Sequence, residues 1–359
     1  MKIGILTFLF SKNYGAFLQA YGLKKTIEFM GHEVEFINYI PKSRRTSKFK
    51  GWGLLSGRKM PEIIKKRLLF DSFRYRNLPS TKPCYTKDDL KNIEKGFDAI
   101  IVGSDQVWNG HLNTVFEDAY FLNFSDRKGC RKITYAACFG DSNQPEFTIK
   151  SAGELIEKFD YLSVRNQMSA DIVSRISKKD AEIVLDPTLI YDFKDIIKEK
   201  VSKKKYIAAY FLPHNKIEIG RKVVKTVKDI LQLPVISFSD DMIFDNQDKL
   251  IKSAGPIEWL QIIGGADFIC TDSFHGTVFS VKFRKPFISW SQDSVEGFRG
   301  PERILDFLNT CEMGNRLIYN ADDDLINFLI SSKLDYSSTF SLLQPKIKKS
   351  KDFIRRALL

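Results

Sequence analysis

Short, wholly apolar runs alternate with amphipathic stretches along almost the whole chain, and the alternation starts afresh after a lysine-rich segment at 198–205. A run of four to eight apolar residues followed by a helical stretch reads as a buried strand crossing over to a parallel neighbour. The runs at 2–8, 33–39, 97–103, 132–139, 161–164 and 182–185 read as strands, with helices at 14–30, 147–160 and 167–176. Beyond the lysine-rich segment, strands are expected at 206–212, 234–238, 267–271 and 286–290, and helices at 216–231, 258–264 and 273–283.

Two successive units of this kind predict an α/β protein with two Rossmann-like domains facing a cleft, the general layout of the GT-B fold. The expected domains are 1–200, carrying a basic helical insertion at 41–95, and 205–335, with 340–359 as a basic C-terminal helix packed back across the halves. A chain of 359 residues, 43% of them hydrophobic, suffices for two such cores. Neither an internal repeat nor a low-complexity tract interrupts it.

Charge is distributed unevenly. Between Pro41 and Arg76 twelve Lys and Arg stand against Glu62 and Asp71, a net +10 out of +12 for the chain. A second basic cluster runs from Lys346 to Arg356. Such patches suit phosphorylated ligands, anionic lipid or simple solvation. No zinc-finger, KH or RRM signature accompanies them, so nucleic acid is not expected as a partner. The five cysteines are odd in number and form no Cys-x-x-Cys pair, and the four histidines lie far apart, so neither a disulfide framework nor a metal site is expected. The apolar start lacks the features of a secretory signal, and no run approaches the ~18 apolar residues of a membrane span. The expected location is cytoplasmic.

Ligands in parallel α/β sheets bind beyond the carboxyl ends of the strands, and each distinctive polar string falls at such a place. Asn13-Tyr14-Gly15 opens the first helix, where backbone N–H groups and the helix dipole favour an anion; a tight strand-to-helix turn accounts for it equally. Gly103-Ser104-Asp105-Gln106-Val107-Trp108-Asn109 ends a buried strand. Asp105, Gln106 and Asn109 beside the flat face of Trp108 suit a sugar, unless the turn is Asp-capped and Trp108 lies in the core. Asp272-Ser273-Phe274-His275-Gly276-Thr277 joins a strand to a helix, with Ser273 as its N-cap. His275 then sits at the positive end of the dipole, which favours an uncharged ring able to act as a base, and Gly276 admits a close ligand. Arg165 ends the strand at 161–164, and Arg303 lies in an Arg-Gly-Pro-Glu-Arg string; guanidinium forks suit phosphate and carboxylate.

At these strings the chain resembles the polysaccharide pyruvyl transferase family. The matching segments are NYGAFLQAY from Asn13, GSDQVWN from Gly103, TYAACFG from Thr134, SVR ending at Arg165, LDPTL from Leu185 and GPIEWL from Gly255. The most specific are DFICTDSFHGTVF from Asp267, KPFI from Lys285 and ERIL from Glu302. They follow the family's order over nearly the whole chain. The resemblance implies a GT-B-like fold and transfer of the pyruvyl group of phosphoenolpyruvate onto a sugar of an exopolysaccharide or capsule precursor. The product is a pyruvate ketal and the by-product phosphate, with no cofactor beyond that donor. The family's histidine falls on His275, with Ser273, Gly276 and Thr277 beside it, and its arginine on Arg165. A second basic residue falls on Arg303 or Arg299, a choice the spacing does not settle. Where the family often has Ser, this chain has Cys138. The implied acceptor is a sugar, free or lipid-linked, and the run at 41–76 fits peripheral contact with the anionic inner face of a membrane. The rival reading is a GT-B glycosyltransferase using a nucleotide sugar, with Glu258 placed for a ribose.

Overall fold

The computed structural model describes residues 1–9, 12–42, 60–112, 116–125, 127–197, 204–212, 217–291 and 302–359. Arg299, most of the lysine-rich segment at 198–205 and much of the basic run at 41–59 lie outside them. The chain forms two compact units. The first comprises Met1–Pro61, Phe70–Asp192 and Pro345–Leu359; the second comprises Glu62–Leu69 and Phe193–Gln344.

In the first unit four strands, β1 (Lys2–Leu6), β2 (Glu33–Phe36), β3 (Ala99–Val102) and β4 (Arg131–Thr134), form a parallel sheet in the order β2-β1-β3-β4. A short parallel pair, β5 (Ser163–Val164) and β6 (Glu182–Ile183), continues beside it through single bridges from Ile133 to Tyr161 and from Ala137 to Val164. All four side chains of β3 are buried, as expected of a parallel strand covered on both faces. Helix Tyr14–Phe29 starts where Asn13 accepts from the Ala16 N–H at 3.2 Å. It gives way to Gly31, whose φ of +89° costs a glycine nothing. Phe70 and Phe73 of helix Met60–Asn77 pack on Tyr14, Phe17 and Tyr21 of that first helix. The C-terminal residues close the unit: Ser350 Oγ accepts from Leu185 N–H at 2.9 Å, and Arg356 pairs with Glu182 at 2.7 Å.

In the second unit six parallel strands follow the order β12-β11-β10-β7-β8-β9. They are β7 (Ile207–Tyr210), β8 (Val235–Ser237), β9 (Lys249–Leu250), β10 (Phe268–Thr271), β11 (Phe287–Trp290) and β12 (Leu317–Ile318). Every side chain of β7, β10 and β11 is buried. The two-residue edge strands β9 and β12 carry too little apolar run to be read from the sequence. Helix Asp323–Ser331, capped by Asp322 on the Leu325 N–H, was not expected either.

Candidate functional site

In the first unit the polar strings converge around one buried carboxylate. Asp186 caps the short helix Pro187–Ile190 that follows β6, its Oδ1 accepting from Thr188 N–H at 3.0 Å and Thr188 Oγ1 at 2.7 Å. Its Oδ2 accepts from Ser104 Oγ at 2.9 Å and from Arg165 Nη1 at 3.1 Å. Asp105 lies 4.0 Å from the same guanidinium nitrogen. Arg165 thus lies among the ends of three different strands: its own β5, β3 through Asp105, and β6 through Asp186, which Ser104 also holds. Burial works against its charge, but Cys138, Asp186 and Asp105 outweigh burial and hold the guanidinium well above its ordinary value. Asp105 adopts a φ of +85°, a conformation costly for a residue with a Cβ. The bridge to Ala137 holds it in that conformation, and its Oδ1 accepts the Gln106 N–H at 2.9 Å.

The rest of that string turns inward. Gln106 Oε1 accepts from Asn109 Nδ2 at 2.7 Å, over Gly140, where a Cβ would come within 2.3 Å of the asparagine nitrogen. Trp108 lies in the core, stacked on Phe121 at 5.2 Å and 7°, and its indole N–H donates to Tyr120 O at 2.9 Å. Its flat face is therefore covered by another ring. Asn13 caps the first helix, and Tyr14 is buried against Phe70 at 5.2 Å. Gly15 is buried in the first turn.

In the second unit β10 ends at Thr271, whose Oγ1 donates to Tyr210 O at 2.7 Å and accepts the Ser273 N–H at 3.1 Å. Ser273 caps helix Phe274–Lys282 by accepting from the Gly276 N–H at 3.3 Å. Thr277 Oγ1 donates to Ser273 O at 3.0 Å and meets Ser289 Oγ of β11 at 2.7 Å. A Cβ at position 276 would stand 2.3 Å from Thr271 Oγ1 and 3.0 Å from Thr271 Cβ, so this glycine lets the helix pack against its own strand. The close approach anticipated for a ligand is here an approach of protein to protein.

His275 occupies the second position of that helix and is 7% exposed. Its ring meets Phe274 edge-on at 5.1 Å and 83°. The Arg303 guanidinium, from helix Glu302–Thr310, lies 5.9 Å from the centroid of the same phenylalanine. One aromatic ring thus touches both a buried imidazole and a buried guanidinium. The sequence singled out His275 and Arg303 but not Phe274, which relates them. In the first unit it missed Asp186 and Ser104. The Asp-Pro step after a strand is a helix-start signal, and a capping carboxylate next to an Arg-terminated strand was the available clue.

Parallel sheets in two compact units, with polar side chains gathered at the carboxyl ends of their strands, define a GT-B-like α/β protein. Solved structures agree. UDP-GlcNAc 2-epimerase from Methanocaldococcus jannaschii superposes with a TM-score of 0.57 at 14% identity, covering 99% of each chain. The enzyme from Neisseria meningitidis, bound to UDP-GlcNAc, gives 0.58 at 12% identity, covering 100% of this chain and 99% of the other. The putative enzyme from Listeria monocytogenes gives 0.58 at 10%, covering 99% and 95%. At such identities the likeness is one of fold. The sequence settles the family: the polysaccharide pyruvyl transferase model matches residues 13–294, and the chain belongs to that family. No curated protein sequence matches.

Proposed function

We propose that this transferase moves the pyruvyl group of phosphoenolpyruvate onto two hydroxyls of a sugar in an exopolysaccharide or capsule precursor. The observation that carries this reading is the buried His275 and Arg303, both against the ring of Phe274 beyond the end of β10. Protonation of the methylene carbon of phosphoenolpyruvate makes C2 an oxocarbenium-like electrophile. One sugar hydroxyl adds to C2, the bond from C2 to the phosphate oxygen breaks, and a second hydroxyl closes the ketal. The proton delivered to the methylene carbon is balanced by those leaving the hydroxyls, one of which departs with phosphate.

His275 is the acid/base group of this scheme, a role worth about 10²–10⁴-fold in rate. Arg303 supplies positive charge where the phosphate leaves. Ser273, Gly276 and Thr277 shape the strand-to-helix turn that carries the imidazole. In the first unit Arg165 is the candidate for an anionic group of the donor, its orientation fixed by Asp186. Asn13, Tyr14, Gly15, Asp105, Gln106 and Asn109 stand as the acceptor side of the reading, from which the core position of Trp108 removes that ring. The chemistry assigns no step to a cofactor. Among the described residues no helix is long and apolar enough to cross a membrane. The basic run at 41–76 supports a peripheral position on the inner, anionic face of one, where a lipid-linked acceptor would be presented.

Glu258, on which a nucleotide-sugar reading depends, accepts the Gly255 N–H at 2.7 Å and so satisfies a backbone donor at the start of helix Pro256–Gly265. That gives the carboxylate a structural task of its own. The test is a coupled phosphate-release assay of phosphoenolpyruvate against a panel of hexose and N-acetylhexosamine acceptors. His275→Ala is expected to abolish release while the thermal melt stays close to that of the parent. Full activity of the variant would remove the imidazole from the reaction. Thermal stabilisation by nucleotide sugars with none by phosphoenolpyruvate would favour the glycosyltransferase instead.

A further inference from the structure

The first two turns of helix Met60–Asn77 reverse the usual order of a surface helix. In the stretch Glu62–Leu69 the partly buried stripe is Glu62, Lys66 and Leu69, at i, i+4 and i+7. Leu69 lies against Gly255, where a Cβ would meet its own Cβ at 3.1 Å. The outward side carries the aliphatic residues instead: Ile63 is 37% exposed, Ile64 50% and Leu68 62%, with Lys65 and Arg67 exposed among them. A helix whose only environment is water and its own protein places such residues the other way round.

Beside this face, and within the same unit, lies a cavity of about 690 Å³. Lys65 lines it together with Lys249, Lys252, Ser253, Gln261 and two carboxylates, Glu62 and Glu258. Three ammonium groups at its wall, one of them also 3.6 Å from Asp240, outnumber the two carboxylates and favour an anion, and Lys65 belongs to both the cavity and the exposed helix face. Apolar side chains interspersed with cations, next to a cationic recess, match the interface of an anionic bilayer. The aliphatic groups reach the acyl boundary while the ammonium groups meet the headgroup phosphates. A protein partner would meet the aliphatic groups equally well, but the net +10 of residues 41–76 selects an anionic surface.

We propose that the Ile63–Ile64–Leu68 face docks on an anionic lipid bilayer, with the adjoining lysine-lined cavity receiving a phospholipid headgroup. This deepens the membrane part of the function proposed above and is independent of the pyruvyl chemistry. The test is sedimentation of the full chain with vesicles of phosphatidylcholine containing about a third phosphatidylglycerol, against phosphatidylcholine alone. The parent should partition onto the anionic vesicles and not the neutral ones. Ile64→Gln/Leu68→Gln, both good helix formers at exposed positions, should weaken partitioning about tenfold. Lys249→Gln/Lys252→Gln should reduce the preference for phosphatidylglycerol. Phe29→Gln, which removes a ring 94% exposed in the first unit, should bind as the parent does. Phosphate release with a soluble acceptor should be the same in all of them, so that loss of docking and loss of chemistry are read separately. Equal sedimentation of the parent with both vesicle types would overturn the proposal, and so would undiminished binding by Ile64→Gln/Leu68→Gln.

Discussion

Replacing Asp186 by Asn tests whether the first unit is organised around the contact with Arg165. The carboxylate accepts four hydrogen bonds, at 2.7, 2.9, 3.0 and 3.1 Å, and carries the nearest opposite charge to a guanidinium that is itself buried. The amide fits the same space but offers one acceptor oxygen and no charge, leaving Asp105 at 4.0 Å as the balancing carboxylate. Removing one partner of a buried ion pair costs about 3–5 kcal/mol, because the other charge is left uncompensated away from water. For a folding unit of about 200 residues this lowers the melting temperature by about 6–20 °C. Calorimetry should show the loss in one transition and leave that of the second unit in place. Removing both charges, as Arg165→Met/Asp186→Asn, should recover part of the loss, since no guanidinium is then left uncompensated and the amide oxygen can still accept at the helix cap. If Asp186→Asn unfolds within 1 kcal/mol of the parent, or if the double variant is as unstable as the single one, the pair is not what holds these strand ends together.

Gly276→Ala should destabilise the second unit by about 1–3 kcal/mol, because the new methyl meets a threonine hydroxyl tied to both Tyr210 and Ser273; a melt equal to the parent's would show that the strand yields. Trp108→Phe should cost about 1–3 kcal/mol through the lost indole bond to Tyr120 and a partly emptied core site, with the acceptor KM unchanged. A raised KM at parental stability would put the ring at the sugar. The Cys84 and Cys130 thiols are both pushed by burial from about 9 up to about 11. Below 9 they are protonated whether the chain is folded or not, and that contribution to stability is fully present. As pH rises from 9 through 11 the unfolded chain gives up protons that the folded one keeps, so stability of the first unit should fall. Urea midpoints flat from pH 8 to 11 would refute this.

How much of this was legible in the sequence depended on what each side chain does for the backbone. The buried strands β3, β7, β10 and β11 are continuous apolar runs, and such runs have few other ways to satisfy their backbone. The two-residue strands β9 and β12 exist because a neighbour supplies their partners, which no local pattern encodes. Ser273 was readable as a cap because capping is local; Asp186 was overlooked because the bonds that matter join it to residues 82 and 21 positions away. Gly276 and Trp108 show a further difficulty. A glycine beside a histidine and a tryptophan in a polar string look alike whether they face a ligand or a neighbouring strand, and only the atoms at 2.3 and 5.2 Å distinguish the two. The residues chosen for chemistry therefore separate into two kinds. Ser273, Thr277, Gly276 and Trp108 have their hydrogen bonds or van der Waals space taken up by the protein, so substitutions there should act first on stability. His275 and Arg303 are instead the groups that the proposed chemistry uses, and both lie against the ring of Phe274. By that argument their substitution should act first on turnover, a division that melting curves and rates measured on the same variants will show directly.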